Sequence, residues 1–201
     1  MRLFVTGIGT EVGKTIASSI LVEALKADYW KPIQAGELDN SDTIKVHNLI
    51  SNTTSKFHKE AYQLNAPMSP HAAAERDRIS IELNKITTPT TDNHLIIEGA
   101  GGLLVPLNNE DCIIDIIPKI NAEVVIVSRH YLGSINHTLM TIQILKDLNI
   151  PIKGIIFSGN ENKDTENIIV KMSGIKMLFR INEEKYFDKE IIKKYAQQIT
   201  L

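Results

Sequence analysis

Residues 7–15 read GIGTEVGKT, between the apolar run LFVT and the amphipathic stretch IASSILVEALK. A buried strand must turn through glycines straight into a helix, which commits the start of the chain to a strand–loop–helix unit. Gly7, Gly9 and Gly13 let the backbone approach oxygen atoms with no Cβ in the way, and successive N–H groups then point into one concave anion site. The helix that opens near Gly13 adds its positive dipole end, Lys14 can reach the β and γ phosphates, and the Thr15 hydroxyl can ligate Mg²⁺. The spacing G-x-x-x-x-G-K-T puts its first glycine at position 8, where Ile8 stands, and Gly7 lies one residue earlier. A glycine turn that merely caps a helix explains neither Lys14 nor Thr15, so the loop is read as a nucleotide phosphate site.

Short runs rich in Val and Ile recur between stretches of helical period, the pattern of a parallel sheet covered on both faces. The expected class is α/β, a doubly wound, mostly parallel sheet with helices on both faces. Strands are expected at Leu3–Val5, Tyr29–Ile33, Leu95–Ile97, Val124–Val127, Ile152–Phe157 and Met177–Phe179. Helices are expected after Gly13 and over Ser41–Ile50, Ser69–Arg76, Ser80–Ile86, Cys112–Ile120, Ser134–Leu148, Asp164–Met172 and Asp188–Gln198. Ser51–Pro67 reads as polar and irregular, and TTPTTDN at 87–93 as a break before a buried strand. Neither is long enough for a domain linker, and no internal repeat occurs, so residues 1–201 are expected to form one domain.

Lys plus Arg total 22 against 24 Asp plus Glu, for a formal net charge of −2. That balance offers no field for wrapping nucleic acid or anionic lipid, and neither partner is expected. No apolar run nears the roughly 18 residues of a membrane span, and MRLFVTGIGT breaks too early for a signal peptide, so the expected compartment is the cytoplasm. The single cysteine, Cys112, can form no internal disulfide and is expected to pack as a small hydrophobe.

HLIIEGAGG at 94–102 is a strand closing in a carboxylate, so Glu98 should stand at the carboxyl edge, where ligands bind in open α/β sheets. A hard divalent cation needs one or two carboxylate oxygens beside the loop hydroxyl, and Glu98 with Asp42 could supply them. Asp42, in NSDT, reads equally as an acid in the first turn of a helix. In YWKPIQAG, Lys31 interrupts an otherwise apolar strand and is either an edge lysine reaching for solvent or the partner of an anion. The histidines lack zinc-ligand spacing and no G-x-S-x-G elbow occurs, which sets metalloprotease and serine-hydrolase chemistry aside.

Taken together, GIGTEVGKT, WKPIQAG, NSDT, PMSPHAAA, EGAGGLLVPL and LGSINHT resemble, in that order, the dethiobiotin synthetase family over residues 1 to about 160. The resemblance implies ATP and Mg²⁺ with diaminopelargonate and CO₂: a carbamate forms on one amine, ATP phosphorylates it to a carbamic-phosphoric anhydride, and the second amine closes the ureido ring. It implies Lys14 and Lys31 as the catalytic cations, and Thr15, Asp42 and Glu98 as the metal shell. Thr10, Glu11, Val12, Gly13 and Ile16, with Gly99, Ala100 and Gly101, would line the nucleotide. It further implies a homodimer in which Gly133, Ser134, Ile135 and Asn136 of one subunit hold the substrate carboxylate of the other at a helix N-terminus. Ser134 or Asn136 reads also as a plain N-cap, and PMSPHAAA is assigned mainly to structure, with Ser69 and Pro70 as N-cap and first-turn residues.

The chain departs from the family pattern in places. Ala35 replaces the small hydroxyl expected after KPIQ. Ser158, beside Gly159, replaces an asparagine that reads the base, and a hydroxyl offers fewer simultaneous hydrogen bonds than a carboxamide. FRINEEKY matches the later nucleotide-contacting segment poorly, leaving Asn182, Glu183 and Glu184 without support. The competing class is a switch ATPase of the partitioning and cell-division type, which shares the fold but carries a lysine early in the loop, where this chain has Gly9. The apolar residues Ile191, Ile192, Tyr195 and Ile199 then read as a helix face covering the sheet rather than a membrane anchor.

Overall fold

The structure, a computed structural model, describes residues 1–199. Seven strands form one all-parallel sheet: β1 (Arg2–Gly7), β2 (Asp28–Trp30), β4 (Phe57–His58), β6 (Leu95–Glu98), β7 (Glu123–Arg129), β8 (Ile152–Ser158) and β9 (Met177–Ile181), in the order β4-β2-β6-β1-β7-β8-β9. Two further short strands, β3 (Ile33–Ala35) and β5 (Tyr62–Leu64), pair in parallel as a separate ribbon.

Both faces of the large sheet are buried, which is why its strands read as continuous apolar runs instead of alternating ones. Leu3, Val5, Ile96, Val125, Val127 and Ile156 point to one side, under α1 (Lys14–Leu25), α2 (Asp42–Leu49) and α7 (Lys189–Ala196). Phe4, Leu95, Ile97, Val124, Ile126 and Phe157 point to the other. There the core is completed by α3 (Pro70–Arg76), α4 (Ile116–Ile120), α5 (Ser134–Asp147) and α6 (Lys163–Ser173). Ile192 and Tyr195 of α7 are buried, so this helix covers the sheet as its periodicity predicts. No helix among the described residues is long and apolar enough to cross a membrane.

The chain leaves β1 toward β2 on one side and returns through β6, β1's immediate neighbour, before crossing to β7 on the other. Such a reversal opens a crevice at the carboxyl ends of the strands involved, here β1 and β6, which end at Gly7 and Glu98.

Five sequence expectations change. The strand expected over Tyr29–Ile33 stops at Trp30, because Pro32 supplies no N–H to the ladder, and Ile33 to Ala35 join the second ribbon. The helix expected over Ser80–Ile86 is a single 3₁₀ turn at Leu83–Lys85, and that over Cys112–Ile120 is a 3₁₀ turn followed by the five-residue α4. The stretch Ser51–Pro67 carries β4 and β5, too short to show a period. Finally, α5 is capped by neither Ser134 nor Asn136: Gly133, at φ 104, takes the N-cap position without a side-chain bond.

The amino end of β2 is tied by Asp28. Its buried carboxylate accepts from the Lys56 N–H (2.9 Å), the Thr91 hydroxyl (2.8 Å) and the Asn93 amide (3.1 Å), with His58 Nε2 at 3.1 Å. Burial opposes the charge, but these donors outweigh it and hold Asp28 below the usual aspartate range. The stability it contributes is therefore present above the unfolded value, about pH 4, and lost as pH falls through the lower folded value. Asp28→Asn is expected to lower stability at pH 7 by about 1–3 kcal/mol and to flatten the loss below pH 4. Urea unfolding at pH 7 and pH 3 checks both.

Candidate active site

The crevice is a cleft of about 900 Å³. Thr10, Glu11, Gly13, Lys14, Thr15 and Ile16 form one wall, and Lys31, Ala35, Asp42, Glu98, Ala100 and Gly101 are also in its lining. These are the residues the phosphate-loop, KPIQ, NSDT and EGAGG motifs single out.

Gly13 is in the left-handed region at φ 95, which only a glycine adopts without strain, and there it reverses the loop into α1. The N-terminus of α1 has no side-chain cap and no acid in its first turn, so its amides and dipole face the cleft uncompensated. By contrast Ser41, Asn162 and Asp188 cap α2, α6 and α7 with side-chain oxygens. Lys14 is the first residue of α1, and its ammonium donates to the Gly9 carbonyl at 2.9 Å. Burial pushes its pKa down to about 8, against the pull of Glu98. An arriving phosphate would favour the charged form.

On the floor of the cleft, Thr15 Oγ1 lies 3.0 Å from Glu98 Oε1 and 3.2 Å from Asp42 Oδ1. One hydroxyl proton cannot serve both carboxylates. Lys31 supplies the missing charge, with its ammonium 2.6 Å from Asp42 Oδ2 and 3.3 Å from Glu98 Oε1. Burial disfavours the Lys31 charge, but Glu98 and then Asp42 more than offset this and hold its pKa above the usual lysine value. Burial likewise opposes the Asp42 carboxylate, and Lys31 outweighs it to keep the carboxyl below its usual range. Lys31 thus faces anions rather than solvent. It does so from the break between β2 and β3 and not from within a strand.

The donor set fits a hard divalent cation: two carboxylates and a hydroxyl, with no nitrogen or sulfur. Among the described residues no three or more His, Cys, Asp or Glu side chains gather to hold a metal. The remaining ligands are left to water and phosphate oxygens, as Mg²⁺ prefers.

Other motif residues stand elsewhere. The Val12 side chain is buried in the α1 side of the core, and a Cβ on Gly99 would lie 2.9 Å from the Phe4 ring, so neither presents a side chain to the cleft. Ser158 stands behind the loop: a Cβ on Gly13 would lie 3.1 Å from its hydroxyl. Gly159 follows beneath the Arg129–Glu183 ion pair, whose N···O distance is 2.9 Å. Gly133, Ser134, Ile135 and Asn136 lie outside the cleft lining of their own chain.

Sequence reasoning missed part of the rim. Pro67, Met68, Ser69 and Pro70, assigned to structure, line the cleft. Gly36, at φ 72, explains why: a Cβ there would lie 2.5 Å from the Pro67 Cα, so the 36–37 loop and the 67–70 segment are pressed together. Glu37 and Lys45 also line the cleft, 2.5 Å apart, with Lys45 3.7 Å from Asp42. The spacing of Asp42 and Lys45, one helical turn apart, was the available signal. Gln34 fixes the start of α2 by accepting from the Asp42 N–H at 3.2 Å and donating to the Gly36 carbonyl.

A family model described as an AAA domain matches residues 1–190. The chain is 57% identical to the ATP-dependent dethiobiotin synthetase BioD of Christiangramia forsetii, over 97% of this chain and 94% of that protein. It is 48% identical to the enzyme of the same name from Cytophaga hutchinsonii, over 98% and 96%. The Chlamydia pneumoniae protein of that name is 42% identical, over 98% and 88%. Among solved structures, the cell division ATPase MinD of Pyrococcus furiosus superposes with a TM-score of 0.62 at 12% identity, over 98% of this chain and 97% of that one. A ParA family ATPase from Chlorobium tepidum gives 0.58 at 12%, over 98% of each. At such identity the likeness is one of fold.

Proposed function

The chain belongs to the AAA-domain and dethiobiotin synthetase families, and on that premise we propose that the cleft closes a ureido ring on 7,8-diaminopelargonate with CO₂ and Mg²⁺-bound ATP. The protein is an ATP-dependent ligase of biotin biosynthesis. The observation that carries the finer reading is Lys31: a second buried cation, 2.6 Å from Asp42, beside the phosphate loop. A carbamate and a terminal phosphate meeting there ask for both lysines.

One substrate amine adds to CO₂ and loses a proton, giving the carbamate. A carbamate oxygen attacks the γ-phosphorus, releasing ADP and leaving the carbamic-phosphoric anhydride. The second amine attacks the carbonyl carbon, loses a proton and expels phosphate, which closes the ring. Lys14 and the bare N-terminus of α1 take the phosphates, and Lys31 offsets the charge shared between carbamate and transferring phosphoryl group. Thr15, Asp42 and Glu98 would hold Mg²⁺, which when bound neutralises and orients the phosphate oxygens. Ala35 leaves the substrate without a side-chain hydroxyl at that wall. Ser158, whose hydroxyl stands beside Gly13, and the following Gly159 would face the nucleoside, and selectivity for adenine is expected to be modest.

The reading includes a homodimer in the cytoplasm. In it, α5 of one subunit presents Gly133, Ser134, Ile135 and Asn136 to the substrate carboxylate of the other. Two observations support this: the N-terminus of α5, like that of α1, has neither a side-chain cap nor an acid in its first turn, and Tyr131, Leu132 and Met140 around it expose apolar surface. Gly9 stands where a switch ATPase would carry its lysine, and no feature of the cleft favours that alternative.

ADP formation with and without diaminopelargonate and bicarbonate tests the proposal. Turnover that requires both supports it, and turnover indifferent to the diamine refutes it.

A further inference from the structure

The carboxylate of Glu98 is divided between two surroundings. Oε1 meets Thr15 and Lys31 on the cleft side. Oε2 accepts the Tyr29 hydroxyl at 3.0 Å, and among the described residues this is its single hydrogen bond. Tyr29 and Glu98 are both almost wholly buried. The register explains the contact: Tyr29 pairs with Ile96 across β2 and β6, and Glu98, two residues on, points to the same face as Ile96. The terminal torsion of a glutamate is broad, so an unanchored carboxylate can turn either oxygen to the cleft.

We infer that Tyr29 is a positioning residue, whose hydroxyl holds Oε2 of Glu98 and thereby fixes Oε1 as the oxygen presented to Thr15, Lys31 and the metal. The inference rests on the proposed metal role of Thr15, Asp42 and Glu98. An outer partner of this kind typically changes metal affinity by about 10- to 100-fold. Tyr29→Phe deletes the hydroxyl while keeping the ring against Phe57, whose centroid lies 5.9 Å away.

The test titrates Mn²⁺ into the protein saturated with ADP, read by electron paramagnetic resonance without turnover. Tyr29→Phe is expected to weaken Mn²⁺ binding about tenfold. The same substitution in a Glu98→Gln background should change little, because the group it positions has gone. A purely structural role would lower the melting temperature without that coupling. Tyr29→Met, a second variant lacking the hydroxyl, should behave like Tyr29→Phe, so failure of one to fold leaves the other to decide. Wild-type Mn²⁺ affinity in the Tyr29 variants, with weakened binding in Glu98→Gln, overturns the inference and leaves the metal reading intact. Unchanged binding in Glu98→Gln overturns both.

Discussion

Lys31→Ala is expected to lower kcat by about 10²- to 10³-fold, the scale of removing one preorganised donor from a developing charge, equivalent to roughly 2.7–4 kcal/mol. The lysine side chain is almost wholly buried, with its ammonium held by Asp42 and Glu98, so its charge is in place before any substrate arrives. Its removal has a second consequence that separates catalysis from metal binding. Two carboxylates are left near each other without their cation, and a divalent ion becomes the means of neutralising them. Metal affinity should therefore be retained or increased while kcat falls. The KM for ATP at saturating Mg²⁺ should move little by comparison. Steady-state kinetics together with thermal melting at rising Mg²⁺ resolve these effects: the variant should melt lower than wild type without metal and gain more from it.

Lys14→Ala is expected to reduce kcat/KM for ATP by about 10²- to 10³-fold, with both terms affected and the KM for the diamine nearly unchanged. This ammonium donates to the Gly9 carbonyl, a weak partner that a phosphate oxygen would replace with a charge-assisted bond. Lys14→Arg should not restore activity. A Cβ on Gly7 would lie 3.2 Å from the lysine nitrogen and 2.5 Å from Val12, so the loop has no room for a planar guanidinium. Initial-rate kinetics with each substrate varied in turn distinguish loss of phosphate binding from general disruption, which would raise both KM values.

Much of this site is legible in the sequence because its pieces are local. The strand, three glycines, Lys14 and Thr15 fall within fifteen residues, and a loop of that composition has few ways to close. Glu98 is legible because it ends an apolar strand, where burial without a partner is costly. The sheet is legible because β1, β6, β7 and β8 are largely buried on both faces and each carries a run of three or more apolar residues.

What escapes depends on contacts far apart in the chain. Pro32 ends β2 early, and nothing local says that the next three residues will pair with Tyr62–Leu64. Strands of two or three residues are too short for any period to emerge. The entry of residues 67–70 into the cleft follows from the close approach of Gly36 and Pro67, separated by thirty-one positions in sequence. Tyr29 reads as an ordinary strand aromatic until the β2–β6 register places its hydroxyl on Glu98. Ser134 reads as a helix cap, yet its hydroxyl caps nothing and Gly133 begins the helix. The uncapped end is itself the informative feature, and only backbone geometry discloses it.

The Lys31 ammonium is expected to meet the reacting carbamate and the terminal phosphate at the cleft floor as the metal takes over Asp42 and Glu98. A crystal structure with the diamine, bicarbonate and a non-hydrolysable ATP analogue with Mg²⁺ tests this most directly. The Lys31 ammonium should lie within hydrogen-bond distance of both a carbamate oxygen and the terminal phosphate, with Asp42 and Glu98 turned to the metal. An ammonium still clamped between Asp42 and Glu98, with the carbamate bound elsewhere, would contradict it.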